Sequence, residues 1–422
     1  MWMAQIAASG MIPWLTWLGG APEDTRWHKP SRVFFDWHAS NRPHFRNKRY
    51  LADVAVLYPQ NTISFYGSNG TEDRKLGDLK IESTGYIQGL YTALVEGHIF
   101  FDFVHQHTLS AETLKPYRAL LIPNAAYLRD AECEAIRNYV RAGGSVLATF
   151  ETSRYNEWGE LREDFDLKDI FGVSVANQVI DPFDNSYMRI DKPHPVLEGF
   201  TGTKMVPGAE FRVPVSHLPV EERYRSVIPH YAAFPVAIIY PRITHSDEPA
   251  AVFREEGAGR VVYFPGDICR SYYLSGNPDF SRLLTNAVHW LLKDQTPAVT
   301  VDGDGVIDIF AWETEPGFVV HILNYTNPNM TRPYITKFYP IGPMQVKFRV
   351  TNEKKINWRR RFEPIVNSRS NKQGISWHLK CHWYLTTKLS LFYRQRPIGA
   401  DSIIERSCPN GLYRAETMSW GG

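Results

Sequence analysis

From residue 50 onward, short apolar runs alternate with amphipathic stretches. ADVAVLY (52–58), IFFDFV (99–104), ALLIPN (119–124) and SVLATFET (145–152) have strand length and little polar alternation, the pattern of strands buried on both faces. Helical stretches separate them. STGYIQGLYTALVEGHI places Ile87, Leu90, Tyr91 and Leu94 at helical spacing, and Ser110 opens a short helix with Glu112 and Thr113 in its first turn. A further helix, N-capped by Asp130, carries Ile136, Tyr139 and Val140 as its apolar stripe and stops at Gly143-Gly144. This alternation predicts an α/β fold with a doubly wound, mostly parallel sheet.

Residues 153–235 lose the rhythm. Turn signals in NEWGE, DPFDN and DKPHP mark an irregular insertion, and the charge run LREDFDLKD (161–169) reads as a solvated face. The alternation resumes with PVAIIYP (235–241), AAVFREE (250–256) and RVVYFPGD (260–267), turning between the last two at Gly257 and Gly259. A helix over about 278–293 closes the domain, with Phe280, Leu283, Leu284, Ala287, Val288 and Leu291 on one face. One α/β domain is therefore expected over residues 49–296. Residues 297–350 read as a three-stranded antiparallel meander, turning at Asp304-Gly305 and at Glu315-Pro316-Gly317, and so as a small β domain.

At the start, MIPWLTWL is a short apolar run, read as a strand and ended by Gly19-Gly20-Ala21-Pro22. SRVFFDWHASNRPHF follows as a helix with Phe34, Phe35, Trp37 and His38 on its buried side. Together they predict one βα unit over residues 1–48, which cannot by itself cover both faces of its strand.

Charge sharpens the far end. The 422 residues carry a formal net charge of +2, but residues 351–422 hold 13 Lys+Arg and 5 Asp+Glu, a net of +8. The remaining 350 residues are acidic by six charges, which gives no reason to expect a polyanionic partner. The basic segment has no sustained period of either kind and is expected to be poorly ordered or read from a shifted frame. Nucleic-acid binding through Lys354, Lys355, Trp358, Arg359 to Arg361 and Phe362 is the alternative reading of it. The four cysteines (Cys133, Cys269, Cys381 and Cys408) lie far apart without CxxC spacing, which fits a reduced, cytoplasmic setting. No run of about 18 apolar residues predicts a membrane span.

Candidate chemistry is sparse. The loop after the first strand, PQNTISFYGSNGTEDRKLGD, contains no GxGxxG or P-loop, and Glu72, Asp73 and Asp78 would repel phosphate, so no cofactor is expected. A nucleophile elbow needs small residues around it, whereas SVLATFET ends in Phe150-Glu151-Thr152-Ser153. Cys133 lies within a helix between two glutamates that would raise a thiol pKa. It supports an active cysteine hydrolase of amidotransferase type only as an alternative. His105 and His107 have no third ligand in register, and the carboxylates of VDGDGVID fail the calcium-loop spacing, so no metal is expected. Trp14 and Trp17 are a candidate sugar-stacking surface, and Glu23 and Asp24 are candidate sugar-contacting acids. As neighbours on one loop, the two acids cannot straddle a glycosidic bond.

IPWLTWLGGAPEDTRW, FFDWHASNRPHFRNKR, VAVLYPQ, GLYTALVEGHIFFDFVHQHTL, RALLIPNAAYLRDAECEAIRNYVRAGGSVLATFETS, RVVYFPGDICRSYY and FAWETEPGFVVHILNYTNPNM together resemble a group of bacterial hypothetical glycoside hydrolases. In that group a (β/α)₈ barrel precedes a β-galactosidase trimerisation domain like that of family-42 β-galactosidases. The resemblance covers about residues 1–350. It implies a flavodoxin- and amidotransferase-like sheet without their chemistry, preceded by the last βα unit of a barrel. It also implies a homo-oligomer such as a trimer and a carbohydrate substrate for the full-length relative. The strands bearing the family's catalytic carboxylates would precede residue 1, so no catalytic residue is placed on this chain and it is expected to be inactive alone. Near Thr351 the resemblance stops, where the net charge also changes.

Overall fold

The computed structural model describes residues 2–17, 19–20, 23–66, 84–179, 186–217, 223–227, 246–293, 295–315, 317–327, 339, 341, 344–350, 356–357, 388–395 and 402–404. The chain divides into two units, one of residues 53–97 and 101–296, the other of residues 1–52, 98–100 and 297–422.

The second of these begins with helix α1 (Trp2–Ala8), helix α2 (His28–Ser40) and strand β1 (Asn47–Tyr50). α2 forms where expected, with Phe34 buried and Phe35, Trp37 and His38 half-buried. The expected strand in MIPWLTWL does not form: residues 11–17 are irregular, with Ile12 87% and Trp14 75% exposed. Pro13 lacks an amide donor, and a lone strand with no neighbour leaves its remaining amides unpaired, so hydrophobicity alone does not make one here.

The α/β unit contains β2 (Val54–Tyr58), α3 (Gln60–Phe65), α4 (Gly85–Glu96), β3 (Phe101–His105), α5 (Ala111–Leu114), β4 (Ala119–Ile122), α6 (Asp130–Arg141) and β5 (Ser145–Thr149). The irregular region follows, with α7 (Lys168–Phe171), β6 (Val173–Val175), β7 (Tyr187–Arg189), β8 (Met205–Pro207), β9 (Val215–His217) and β10 (Arg223–Val227). β11 (Pro249–Glu256), β12 (Gly259–Phe264), α8 (Ile268–Ser275) and α9 (Pro278–Leu291) complete the unit. The expected strand at 235–241 lies outside the described residues.

The main sheet has the order β3-β2-β4-β5-β12-β11-β10-β7-β8, and its first five strands are parallel. β11 joins β12 as an antiparallel hairpin, and β10, β7 and β8 extend the antiparallel part. The parallel strands are apolar because helices cover both faces: VAVL and ALLI are almost completely buried. Ser110 and Thr113 cap α5 reciprocally, and Asn277 caps α9 ahead of Pro278. At α6 the cap is Arg129, one residue before the expected Asp130. Glu132 reaches back to the Arg129 amide at 2.8 Å, and Asp130 turns outward to Arg162 at 2.5 Å. α8, which the sequence pattern did not announce, crosses α4 so closely that a Cβ on Gly89 would lie 1.8 Å from the Cys269 carbonyl oxygen.

The charge run 161–169 is not a plain solvated face. Phe165 and Leu167 are buried in the core. Arg137 of α6 bonds to Glu134 and Asp169 at 3.1 Å each and to Asp166, fastening the start of the irregular region to the parallel sheet.

In the other unit, β14 (Ile307–Thr314) and β15 (Gly317–Asn324) form the expected hairpin, whereas β13 (Val299–Asp302) leaves it to pair with β16 (Gln345–Val350). The meander is therefore split between two sheets. β1 adds to β14, so the N-terminal segment completes this unit rather than standing apart. Segments of the basic region pair as well: β18 (Lys388–Gln395) runs beside β15, β17 (Ile356–Asn357) beside β18, and β19 (Ser402–Ile404) beside β16. The rest of residues 351–422, including every residue named for nucleic-acid binding, lies outside the described residues.

Candidate functional site

In the parallel part of the sheet the chain runs outward from β2 in both directions, to β3 on one side and β4 on the other. Such a reversal opens a crevice at the carboxyl ends of the strands, the usual ligand site of open α/β sheets. Side chains fill it here. The Tyr127 amide donates to the Thr62 hydroxyl at 3.2 Å. Fully buried Gln106 donates to the Tyr127 carbonyl at 2.8 Å and the Glu132 carboxylate at 2.9 Å, and accepts from the Asn61 amide at 3.1 Å.

The turn after β5 stands where a nucleophile elbow would, but it runs on into further turns rather than into a helix and carries no nucleophile at its apex. Phe150 occupies its apex in the left-handed region, at φ 54°, a conformation that costs a bulky residue strain. Its amide donates to the Phe264 carbonyl at 2.8 Å, and its carbonyl accepts from the Tyr263 hydroxyl at 2.7 Å, so the strain is held from both ends. Tyr86 stacks on the Phe150 ring at 6.0 Å.

Glu151, the next residue, is 1% exposed. Tyr66 donates to its Oε2, and Tyr155 donates to its Oε1 at 3.2 Å. Tyr127 stacks on Tyr155 at 5.1 Å, so tyrosines from three loops close over the carboxylate. Burial, then the charge of Glu151, holds the Tyr66 hydroxyl well above its ordinary pKa and keeps it a donor. This arrangement suits locking three loops together. The Ser153 hydroxyl nearby accepts from the Leu167 amide at 3.1 Å.

A second buried cluster closes the carboxyl end of β12. Asp267 accepts from Arg270 and from the Phe211 amide at 2.9 Å each and from the Ser271 hydroxyl at 3.0 Å, while Arg270 also reaches Glu210 at 2.8 Å. Burial outweighs the pull of Arg270 and pushes the Asp267 carboxyl up to about 6.

Neither described cysteine suits nucleophilic work. Cys133 is fully buried in α6, and burial, with Asp166 next, pushes its thiol up; burial pushes the Cys269 thiol up to about 12. His105 and His107 lie 5.1 Å apart, and His107 is engaged with the Asn61 side chain at 3.0 Å. Among the described residues no group of three His, Cys, Asp or Glu converges as a metal site, and no helix is long and apolar enough to cross a membrane.

The residues expected to contact sugar all lie on the exposed stretch between α1 and α2. Trp14 is 75% and Trp17 54% exposed, and the Trp17 indole donates back to the Gly20 carbonyl at 2.7 Å. Glu23 is exposed. Asp24 pairs with Arg26 at 2.5 Å, which holds its carboxyl below the usual carboxylate range. The contacts given for Trp17 and Asp24 are thus local, to residues three and two positions on. The Glu151 cluster escaped sequence reasoning because its partner Tyr66 is 85 residues away, and the Asp267 cluster because the Phe211 amide and Glu210 that complete it lie 56 and 60 residues from their partners. The available signals were an acid at the end of an apolar strand in TFETS and an Asp three residues before an Arg in DICRS.

Residues 52–198 match a family model described as a β-galactosidase trimerisation domain. Similar solved structures include α-L-fucosidase isoenzyme 2 from Paenibacillus thiaminolyticus, with a TM-score of 0.57 and 16% identity over 87% of this chain and 51% of that one. A β-galactosidase from Bacillus circulans sp. alkalophilus gives 0.55 and 11% identity, over 83% of this chain and 42% of that one. A β-galactosidase from Rahnella sp. R3 gives 0.54 and 15% identity, over 89% and 45%. The chain thus spans about half the length of these proteins or less, and the likeness is one of fold. No curated protein sequence matches it. Residues 52–198 thus resemble a β-galactosidase trimerisation domain.

Proposed function

We propose that this chain is the non-catalytic portion of a carbohydrate-active hydrolase of β-galactosidase type, working in subunit association and in shaping the rim of an active site. The observation that carries this reading is the filled crevice. Phe150 stands at the turn after β5, and tyrosines cover the adjacent carboxylate, so a sheet of flavodoxin- or amidotransferase-like strand order serves as scaffold. The family description of residues 52–198 supports a homo-oligomer, here a trimer. On this reading Trp14 and Trp17 offer rings to a sugar, Glu23 and Asp24 offer hydrogen-bond acceptors, and the protein works in the cytoplasm.

The test is hydrolysis of chromogenic β-galactosides and α-L-fucosides by the purified full chain. No turnover is expected. Hydrolysis that disappears in Glu23→Gln or Asp24→Asn would overturn the reading.

A further inference from the structure

A cyclic trimer needs a heterologous contact, in which one patch of each subunit meets a different patch of the next. The α/β unit presents two such patches at opposite ends of its parallel strands. At the carboxyl end, residues 155–162 form a tight hairpin after β5. The Asn156 side chain accepts from the Trp158 and Glu160 amides at 3.0 and 2.9 Å, and Arg162 ties the base to the Tyr155 and Leu128 carbonyls at 2.6 and 3.0 Å. This frame holds Trp158 81% and Leu161 55% exposed, between the exposed acids Glu157, Glu160 and Glu163. A rigidly presented, solvent-facing indole inside a charged rim has the make-up of an interface hot spot.

At the amino end, the residues just before β4 and β5 and just after α9 line a cavity of about 510 Å³. Its walls include Tyr117, Tyr139 and Leu292, with Lys115, Arg118 and Lys293 around them, against the single acid Glu112. Arg118 is paired with Asp53 at 3.3 Å, and Lys293 is bonded to the Gly143 carbonyl at 2.8 Å. The cavity accommodates an indole, and its basic edge complements the acidic hairpin. The two patches are separated by the length of the strands, roughly 17 Å for five residues.

We propose that Trp158 of one copy of this chain inserts into the Lys115–Lys293 cavity of a second copy, head to tail, and that three such contacts close the ring. This rests on the subunit-association reading above and names its contact.

The test is sedimentation velocity on the full chain at micromolar concentration. Wild type is expected to sediment as a trimer. Trp158→Ala, which removes the knob, and Lys115→Glu, which reverses the cavity's charge, each weaken association at least tenfold with circular dichroism unchanged. Mixing the two variants yields dimers, because each keeps the half that the other lacks. Glu157→Lys touches none of the hairpin bonds described and weakens association as well, which covers the case of a variant that fails to fold. Variants as strongly associated as wild type, or a mixture without dimers, would overturn the proposed contact while leaving subunit association standing. A wild type that stays monomeric overturns both.

Discussion

The Tyr66 hydroxyl donates a hydrogen bond to the buried carboxylate of Glu151, joining the end of α3 to the loop after β5 across the crevice. Hydrogen bonds to buried charged groups are among the stronger contributors to stability. Tyr66→Phe therefore leaves Glu151 short of a donor and is expected to cost about 1.5–3 kcal/mol in urea unfolding. An unchanged midpoint would show that the carboxylate does not depend on this phenol.

Gly89 is required by the α4–α8 crossing. A Cβ there would meet backbone atoms of α8, 1.8 Å from the Cys269 oxygen and 2.7 Å from its carbonyl carbon, and neither atom can turn aside as a side chain would. Gly89→Ala is expected to lower stability by roughly 3 kcal/mol through forced separation of the helices. Gain in stability from the better helix former is the opposite outcome, readable in the same melt.

Asp267 sets a pH dependence of definite sign. Its carboxyl is pushed up to about 6 in the folded protein, from an ordinary value of 3.8. The native state thus binds the proton more tightly than the unfolded one in that window. The contribution of this group is fully present below the ordinary value and is lost as pH rises through about 6. Stability measured against pH in wild type and Asp267→Asn should differ in slope between those two values; parallel profiles would contradict the assignment.

The thiols of Cys133 and Cys269 are buried and raised in pKa, chiefly by burial. Peptide mapping after iodoacetamide treatment of the native chain at neutral pH should find both unmodified, and both modified after denaturation. Rapid native labelling of Cys133 would revive an amidotransferase-type reading.

Arg137 holds three acids with a side chain only 17% exposed. Arg137→Ala leaves Asp166 and Asp169 facing each other across its place and is expected to cost about 1–3 kcal/mol, with protease nicking first appearing near residues 161–169. Resistance equal to wild type would return that run to the role of a solvated face.

What could be read from the chain depended on how locally each signal was set. The buried strands and the stripes of α6 and α9 were readable because Val54 to Leu57, Ile136 and Leu283 bury themselves by periodicity alone. MIPWLTWL misled because strand formation needs a hydrogen-bonding neighbour, which hydrophobicity does not announce. β13 left the meander because its partner, β16, lies more than 40 residues on, beyond any turn signal. KLSLFYRQ carries a partial alternation that was drowned by the surrounding basic residues, yet its backbone pairs with β15. NEWGE was legible as a turn, but the display of Trp158 depends on Arg162 and on the bond pattern of Asn156, which no window of sequence shows.

The central claim is that the α/β unit associates subunits while its crevice stays silent, and the native mass of the full chain by light scattering tests it most directly. The account predicts a discrete species of three 48.5 kDa chains at micromolar concentration. A single monomeric species across the whole accessible concentration range would contradict it.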